Sequence, residues 1–210
     1  MITKTLFPGR YIQGDGAIDR LKDELPRFGS QGLCIMTASS LKRLKGKLPE
    51  DSPSLRLQME SFGGECCDRE IDRLTAAGRQ CGAQFILTVG GGKTIDTGKI
   101  VADRLGVPVV VVPTIASTDA PCSACAIVYS EEGAVIRVEY QKNNPNLVLV
   151  DSMIIAEAPA RFLVSGMGDA LATWFEAEAC RRNNGKNEAG ELGSHTAYAL
   201  SRICYETLLE

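Results

Sequence analysis

The stretch Gln84–Asp96, Q-F-I-L-T-V-G-G-G-K-T-I-D, constrains the fold of this 210-residue chain more than any other, because it runs from a buried strand through three glycines into a helix start. Phe85, Ile86, Leu87 and Val89 make a short apolar run suited to a strand covered on both faces. Gly90, Gly91 and Gly92 carry no side chain to block a ligand, so the N–H groups opening the next helix can meet an anion directly. Lys93 and Thr94 add a charge and a hydroxyl at that helix start. A diphosphate is the natural guest, and a strand–glycine–helix turn that binds nothing is the bland alternative. Two better-known phosphate loops are excluded. Leu87 stands where a Walker loop needs its first glycine, and Ile95 stands where the dinucleotide fingerprint needs its third.

Around this loop, strand and helix patterns alternate. Residues 16–28 carry helical spacing, Gly32–Thr37 reads as a strand, Ser39–Leu48 as a short basic helix, Leu55–Met59 as a strand and Cys66–Gln80 as a helix. The helix after the glycines runs to Leu105, and Pro108–Val112 makes another buried strand. Ile127–Tyr129 and Val135–Tyr140 read as a hairpin about Glu131-Glu132-Gly133, and Leu147–Val150 closes the domain. After Asp151 the texture turns helical. Pro159 suits a first helical turn, Ala170–Arg182 spaces Leu171, Trp174, Phe175 and Ala179 for one buried face, and a last helix starts near Glu191. The predicted architecture is α/β: a Rossmann-like, parallel-sheet nucleotide-binding domain over residues 1–160, then the start of an all-α domain over 161–210.

Charge and composition narrow the function. With a formal charge of −3, a pI near 5.4 and no basic stripe or aromatic platform, nucleic acid is not an expected partner. No segment approaches the roughly 20 apolar residues needed to cross a bilayer, and the first residues lack the apolar run of a signal peptide, so no membrane is expected and a cytoplasmic protein is. Cys34, Cys66, Cys67, Cys81, Cys122, Cys125, Cys180 and Cys204 then read as free thiols, since Cys122-x-x-Cys125 has no second pair at zinc-ribbon spacing.

A second loop carries as much as the first. Pro113-Thr114-Ile115-Ala116-Ser117-Thr118-Asp119-Ala120-Pro121-Cys122-Ser123-Ala124 leaves the valine strand as a long run of small and hydroxylated residues, and loops at the carboxyl ends of parallel strands are where open α/β sheets bind ligands. Together with P-G-R-Y-I-Q-G at Pro8–Gly14, F-G-G-E-C at Phe62–Cys66, N-N-P-N at Asn143–Asn146 and G-D-A-L-A-T-W-F-E-A at Gly168–Ala177, the chain resembles the glycerol dehydrogenases of the metal-dependent alcohol dehydrogenase superfamily over essentially its whole length.

That resemblance implies a dehydroquinate-synthase-like fold, NAD as cofactor, zinc as metal, glycerol as substrate and a homo-oligomer in the full-length form. It assigns Gly91, Gly92, Lys93, Thr94 and Asp96 to the pyrophosphate, Thr114 and Ser117 to the nucleotide and nicotinamide side, and Ser123, Cys125 and Tyr129 to the nicotinamide end. Asp119 is expected to touch the substrate hydroxyls and Asp169 to ligate the metal, while the two histidine ligands are expected beyond residue 210. His195 is not one of them. The alternatives are a non-catalytic nucleotide-binding fragment and a glycerol-1-phosphate dehydrogenase-like enzyme, whose anionic substrate calls for Lys or Arg clustered near Asp119 or Asp169. One departure stands out: where relatives of this type place an aspartate to hold the adenosine ribose, this chain has Thr37, which leaves the choice between NAD and NADP open.

Overall fold

The computed structural model describes residues 2–44 and 46–210 and divides into two compact units. The larger comprises Pro8–Ile115 and Ala120–Ala158; the smaller comprises the N-terminal segment to Phe7, Ala116–Asp119 and Pro159–Glu210.

In the larger unit the strands are β1 (Tyr11–Gly14), β2 (Gln31–Met36), β3 (Arg56–Ser61), β4 (Phe85–Gly90), β5 (Val109–Pro113), β6 (Cys125–Tyr129), β7 (Val135–Tyr140) and β8 (Leu147–Asp151). Six form one sheet in the order β1-β8-β5-β4-β2-β3 with every pairing parallel, and β6 and β7 form a separate antiparallel ribbon. The helices are α1 (Leu21–Glu24), α2 (Ala38–Arg43), α3 (Asp68–Cys81), α4 (Gly92–Leu105) and α5 (Ser152–Ala156).

Every residue of β4 is buried, because its alternating side chains feed two separate cores. Phe85, Leu87 and Val89 join Leu21, Leu25, Met36 and Val112 on one face. Ile86 joins Leu33, Ile35, Leu74, Ile100 and Val111 on the other. This two-sided cover is why the strand reads as an unbroken apolar run. Gly98 lets α4 lie close on it, since a Cβ there would meet the Thr88 Cβ at 2.7 Å.

Several predicted boundaries shift for local reasons. Residues 16–28 wind mostly as 3-10 turns, Ala17–Arg20 and Leu25–Arg27, flanking the four-residue α1, which stops at Glu24 because Pro26 has no N–H to continue the α-helical ladder. The basic helix predicted to Leu48 ends at Arg43, and its Lys45 lies outside the described residues. β1 and α5 carried no periodic signal, being short; α5 is started by Asp151, whose carboxylate accepts the Met153 and Ile154 N–H groups.

The smaller unit is built on α6 (Ala160–Arg182) and α7 (His195–Leu209). Trp174 lies against the rings of Tyr198 at 5.2 Å and Tyr205 at 6.1 Å, and Phe175 meets Tyr205 edge-on at 5.8 Å. Helix α6 starts at Ala160, directly after Pro159 where a first helical turn is expected, and runs unbroken through Ala170–Arg182 although Gly166 and Gly168 lower its helix propensity. Gly166 answers a packing need, since a Cβ there would strike the Ala116 carbonyl oxygen. Helix α7 starts at His195 rather than Glu191, where Ser194 caps it by accepting the Ala197 N–H at 3.1 Å. The face predicted to be buried is not: Leu171 and Trp174 are half-buried, Ala179 is exposed and Phe175 is 57% exposed. Helical spacing defines a face but does not supply what covers it.

Candidate nucleotide site

The sheet order places the two informative strand ends side by side. After β2 the chain leaves through α2 to β3 on one side, and after β4 it leaves through α4 to β5 on the other. The topological switch point therefore falls between β2 and β4, paired in register at Met36 and Val89. In open α/β sheets the crevice at the carboxyl ends of such a strand pair receives the ligand. Thr37 follows β2 and Gly91 follows β4.

Gly91 is the N-cap of α4, extended at φ −91° and ψ −174°, and its carbonyl accepts the Ile95 N–H at 3.0 Å. No side chain caps this helix among the described residues, and its first turn holds no acidic residue. Its opening N–H groups and the positive end of its dipole thus have no built-in anion, which suits a diphosphate. Thr94 and Thr114 are buried behind the turn, and the Thr114 N–H donates to the Gly90 carbonyl at 2.9 Å.

Lys93 is exposed at this turn but already has company. Its ammonium group donates to Glu65 at 2.6 Å and stands 4.5 Å from the centre of the Tyr129 ring. This places Glu65 beside the glycine turn, with Lys93 set between it and Tyr129 of β6. The carboxylate offsets the lysine charge, so the α4 N-terminus is the main positive feature of the turn. Thr37 has a local role as well: its hydroxyl caps α2 by accepting the Ser40 N–H at 3.1 Å.

Asp96 points away from solvent. One oxygen lies 2.9 Å from the Lys99 ammonium and the other accepts the Ile127 N–H at 3.0 Å. Burial pushes its carboxyl above the usual aspartate range, while Lys99 and the Ile127 N–H pull it back. Ser123 and Cys125 sit beside the same lysine: the Ser123 hydroxyl is 3.3 Å from it and the Cys125 carbonyl accepts from it. Lys99 is the residue that sequence reading missed, although a lysine three positions after Asp96, flanked by Ile100 and Val101, is an unusual member of an apolar helix face. Burial pushes the Cys34 and Cys66 thiols up to about 12, and all eight cysteines are free.

Ser117, Asp119 and Asp169 belong to the smaller unit. There the Asp169 carboxylate, on α6, accepts the Asp119 N–H at 2.9 Å, so the candidate metal ligand and the candidate substrate contact are neighbours. Both are exposed. Among the described residues no three His, Cys, Asp or Glu side chains come together to hold a metal ion. Asp169 alone does not make a catalytic zinc site, which typically takes three protein ligands.

A parallel sheet with an uncapped glycine turn at its switch point is the arrangement in which open α/β sheets receive ligands. The model for iron-containing alcohol dehydrogenases matches residues 8–152, and the chain belongs to that family. It is 53% identical over 211 aligned positions to the glycerol dehydrogenase of Thermotoga maritima, covering 100% of this chain and 58% of that protein. It is 47% identical to the glycerol dehydrogenase of Escherichia coli O6:H1, covering 97% of this chain and 56% of that one. The crystal structure of a probable glycerol dehydrogenase from Sinorhizobium meliloti 1021 superposes with a TM-score of 0.94 at 41% identity, covering 100% of this chain and 58% of that one. The chain thus spans rather more than half the length of these relatives.

Proposed function

We propose that the 210 residues form the nucleotide-binding part of an NAD-dependent glycerol dehydrogenase, which oxidises glycerol to dihydroxyacetone by passing a hydride from C2 to the nicotinamide. The observation that carries this reading is the uncapped glycine turn at the β2–β4 switch point. The relatives' names support the substrate.

In this reading Gly91, Gly92, Lys93 and Thr94 receive the pyrophosphate at the start of α4. Asp96 acts from behind the turn, through the Lys99 pair and the Ile127 N–H. Thr114 and Ser117 serve the nucleotide and nicotinamide side, and Ser123, Cys125 and Tyr129 line the nicotinamide end. Asp119 accepts hydrogen bonds from the substrate hydroxyls, a role suited to a carboxylate. Zinc has one candidate ligand here, Asp169, so the steps assigned to these residues are nucleotide binding and substrate placement. A cytoplasmic homo-oligomer belongs to the same reading. Among the described residues no helix is long and apolar enough to cross a membrane.

Calorimetric titration of NAD onto the chain and its Gly91→Val variant tests the reading. A Cβ at Gly91 would meet the Ile115 Cδ1 at 2.7 Å, the movable end of a side chain, so the variant is expected to fold with Ile115 displaced and the start of α4 crowded by the branched side chain. The expected loss of NAD affinity is roughly a hundredfold, about 2.7 kcal/mol. Unchanged affinity in a folded Gly91→Val protein would show that the turn does not receive the diphosphate.

A further inference from the structure

Lys99 is 2% exposed, and its ammonium group is ringed by oxygen atoms. Asp96 Oδ1 lies at 2.9 Å, the Ala120 carbonyl at 2.9 Å, the Ser123 hydroxyl at 3.3 Å and carbonyl at 3.4 Å, and the Cys125 carbonyl completes the set. Apart from Asp96, all of these acceptors belong to Ala120–Cys125, the segment leading into β6. Asp96 reaches one step further along the same ribbon, to the Ile127 N–H at 3.0 Å. An ammonium group has three donors and no acceptor, and burying it is strongly unfavourable unless it is paired and hydrogen-bonded. An apolar side chain would fill the same volume without that penalty. What the lysine adds is a fixed direction for several backbone carbonyls of a segment that has no strand or helix of its own before β6.

We propose that Lys99 is a positioning residue: by holding the carbonyls of Ala120, Ser123 and Cys125 it sets the conformation of the loop that faces the nicotinamide end of bound NAD. This rests on the nucleotide reading above. ADP occupies the adenosine and diphosphate positions alone, so releasing the loop weakens NAD more than ADP. Two nucleotides therefore separate a positioning role from general loss of structure.

The experiment measures NAD and ADP affinities of the full chain by calorimetry for the wild type and Lys99→Met, with circular dichroism checking the fold. The ratio of NAD to ADP affinity is expected to fall roughly tenfold. If the single variant does not fold because Asp96 is left as a buried unpaired charge, the double variant Asp96→Asn/Lys99→Met removes both charges and keeps an acceptor for the Ile127 N–H, and the same fall in the ratio is expected. An unchanged ratio in a folded variant, or equal weakening of both nucleotides, overturns the proposal. Should the wild type bind neither nucleotide, it is the nucleotide reading that fails. The clasp is then judged by site-resolved iodoacetamide labelling of Cys122 and Cys125, both partly exposed. Labelling roughly tenfold faster in the variant supports it and an unchanged rate overturns it.

Discussion

Every residue of β4 is buried, yet α6, a helix of 23 residues, has no buried residue at all. The larger unit surrounds its sheet with two apolar clusters, whereas the smaller leaves Val164 at 66%, Phe175 at 57% and Ile203 at 57% exposed. Both have clear secondary structure, so helical or strand pattern is not what separates them. The difference is enclosure. A strand in mid-sheet gains neighbours on both faces, while a pair of helices covers one stripe of each and leaves the rest bare. Stability within these residues is therefore expected to come mainly from the α/β unit.

Matched substitutions offer the sharpest way to break that contrast. Phe85, fully buried in β4, should cost about 3–5 kcal/mol on change to alanine, because its transfer energy and its cavity are both lost. Phe175→Ala, at an exposed site, should change stability by about 0.5 kcal/mol or less. Urea midpoints read both, and equal shifts would mean that Phe175 is covered in solution.

A smaller effect is expected from charge. Glu70 of α3 accepts hydrogen bonds from Arg73 and from the Gly63 N–H at 2.8 Å, which together hold its carboxyl below the usual range against the opposing effect of burial. A carboxylate whose folded pKa is depressed contributes stability that is present above its unfolded pKa, near 4.5, and lost as pH falls through the lower folded value. Glu70→Gln should thus cost about 1 kcal/mol of stability at pH 7, read as a lower urea midpoint, and the gap from wild type should close below pH 4.5. In the smaller unit, Glu178 is also held low, first by the Tyr198 hydroxyl and then by Arg182, but at the surface. Glu178→Gln should leave the midpoint unmoved at either pH. A matching pH-dependent loss there would erase the contrast.

The smallest effect concerns recognition rather than stability. Thr37 stands at the switch point and caps α2, a duty that aspartate performs equally well. Thr37→Asp should therefore keep the fold while shifting the NAD-to-NADP affinity ratio toward NAD, by roughly threefold to tenfold, since a carboxylate accepts ribose hydroxyls and repels a 2′-phosphate. Competitive titration checks it. A ratio that does not move would place ribose recognition on another residue.

How much of this was legible in sequence depended on range. The buried runs of β4 and β5, the glycine turn and the hairpin about Gly133 each express a local rule, and each lies where the pattern put it. The edge strand β1 was not legible, because its four residues alternate between exposed and half-buried and its pairing with β8 joins Tyr11 to Val148 across most of the chain. The candidate site divides the same way. Gly91 and Thr94 announce themselves within one short motif, but the partner of Lys93 is Glu65 and the partners of Lys99 extend to Cys125.

By itself, then, the sequence determined the α/β class, the position of the glycine turn and the candidate list of polar residues, since these follow from hydrophobic period, glycine placement and motif order. Only the tertiary structure decided that β2 and β4 share the switch point, that Lys93 is offset by Glu65, that Asp96 and Lys99 grip the segment before β6, and that α6 has no fully buried residue. The physical reason is that backbone periodicity is a property of neighbours along the chain, whereas an ion pair, a buried charge or a covered face depends on which distant segments the sheet order brings within a few ångströms.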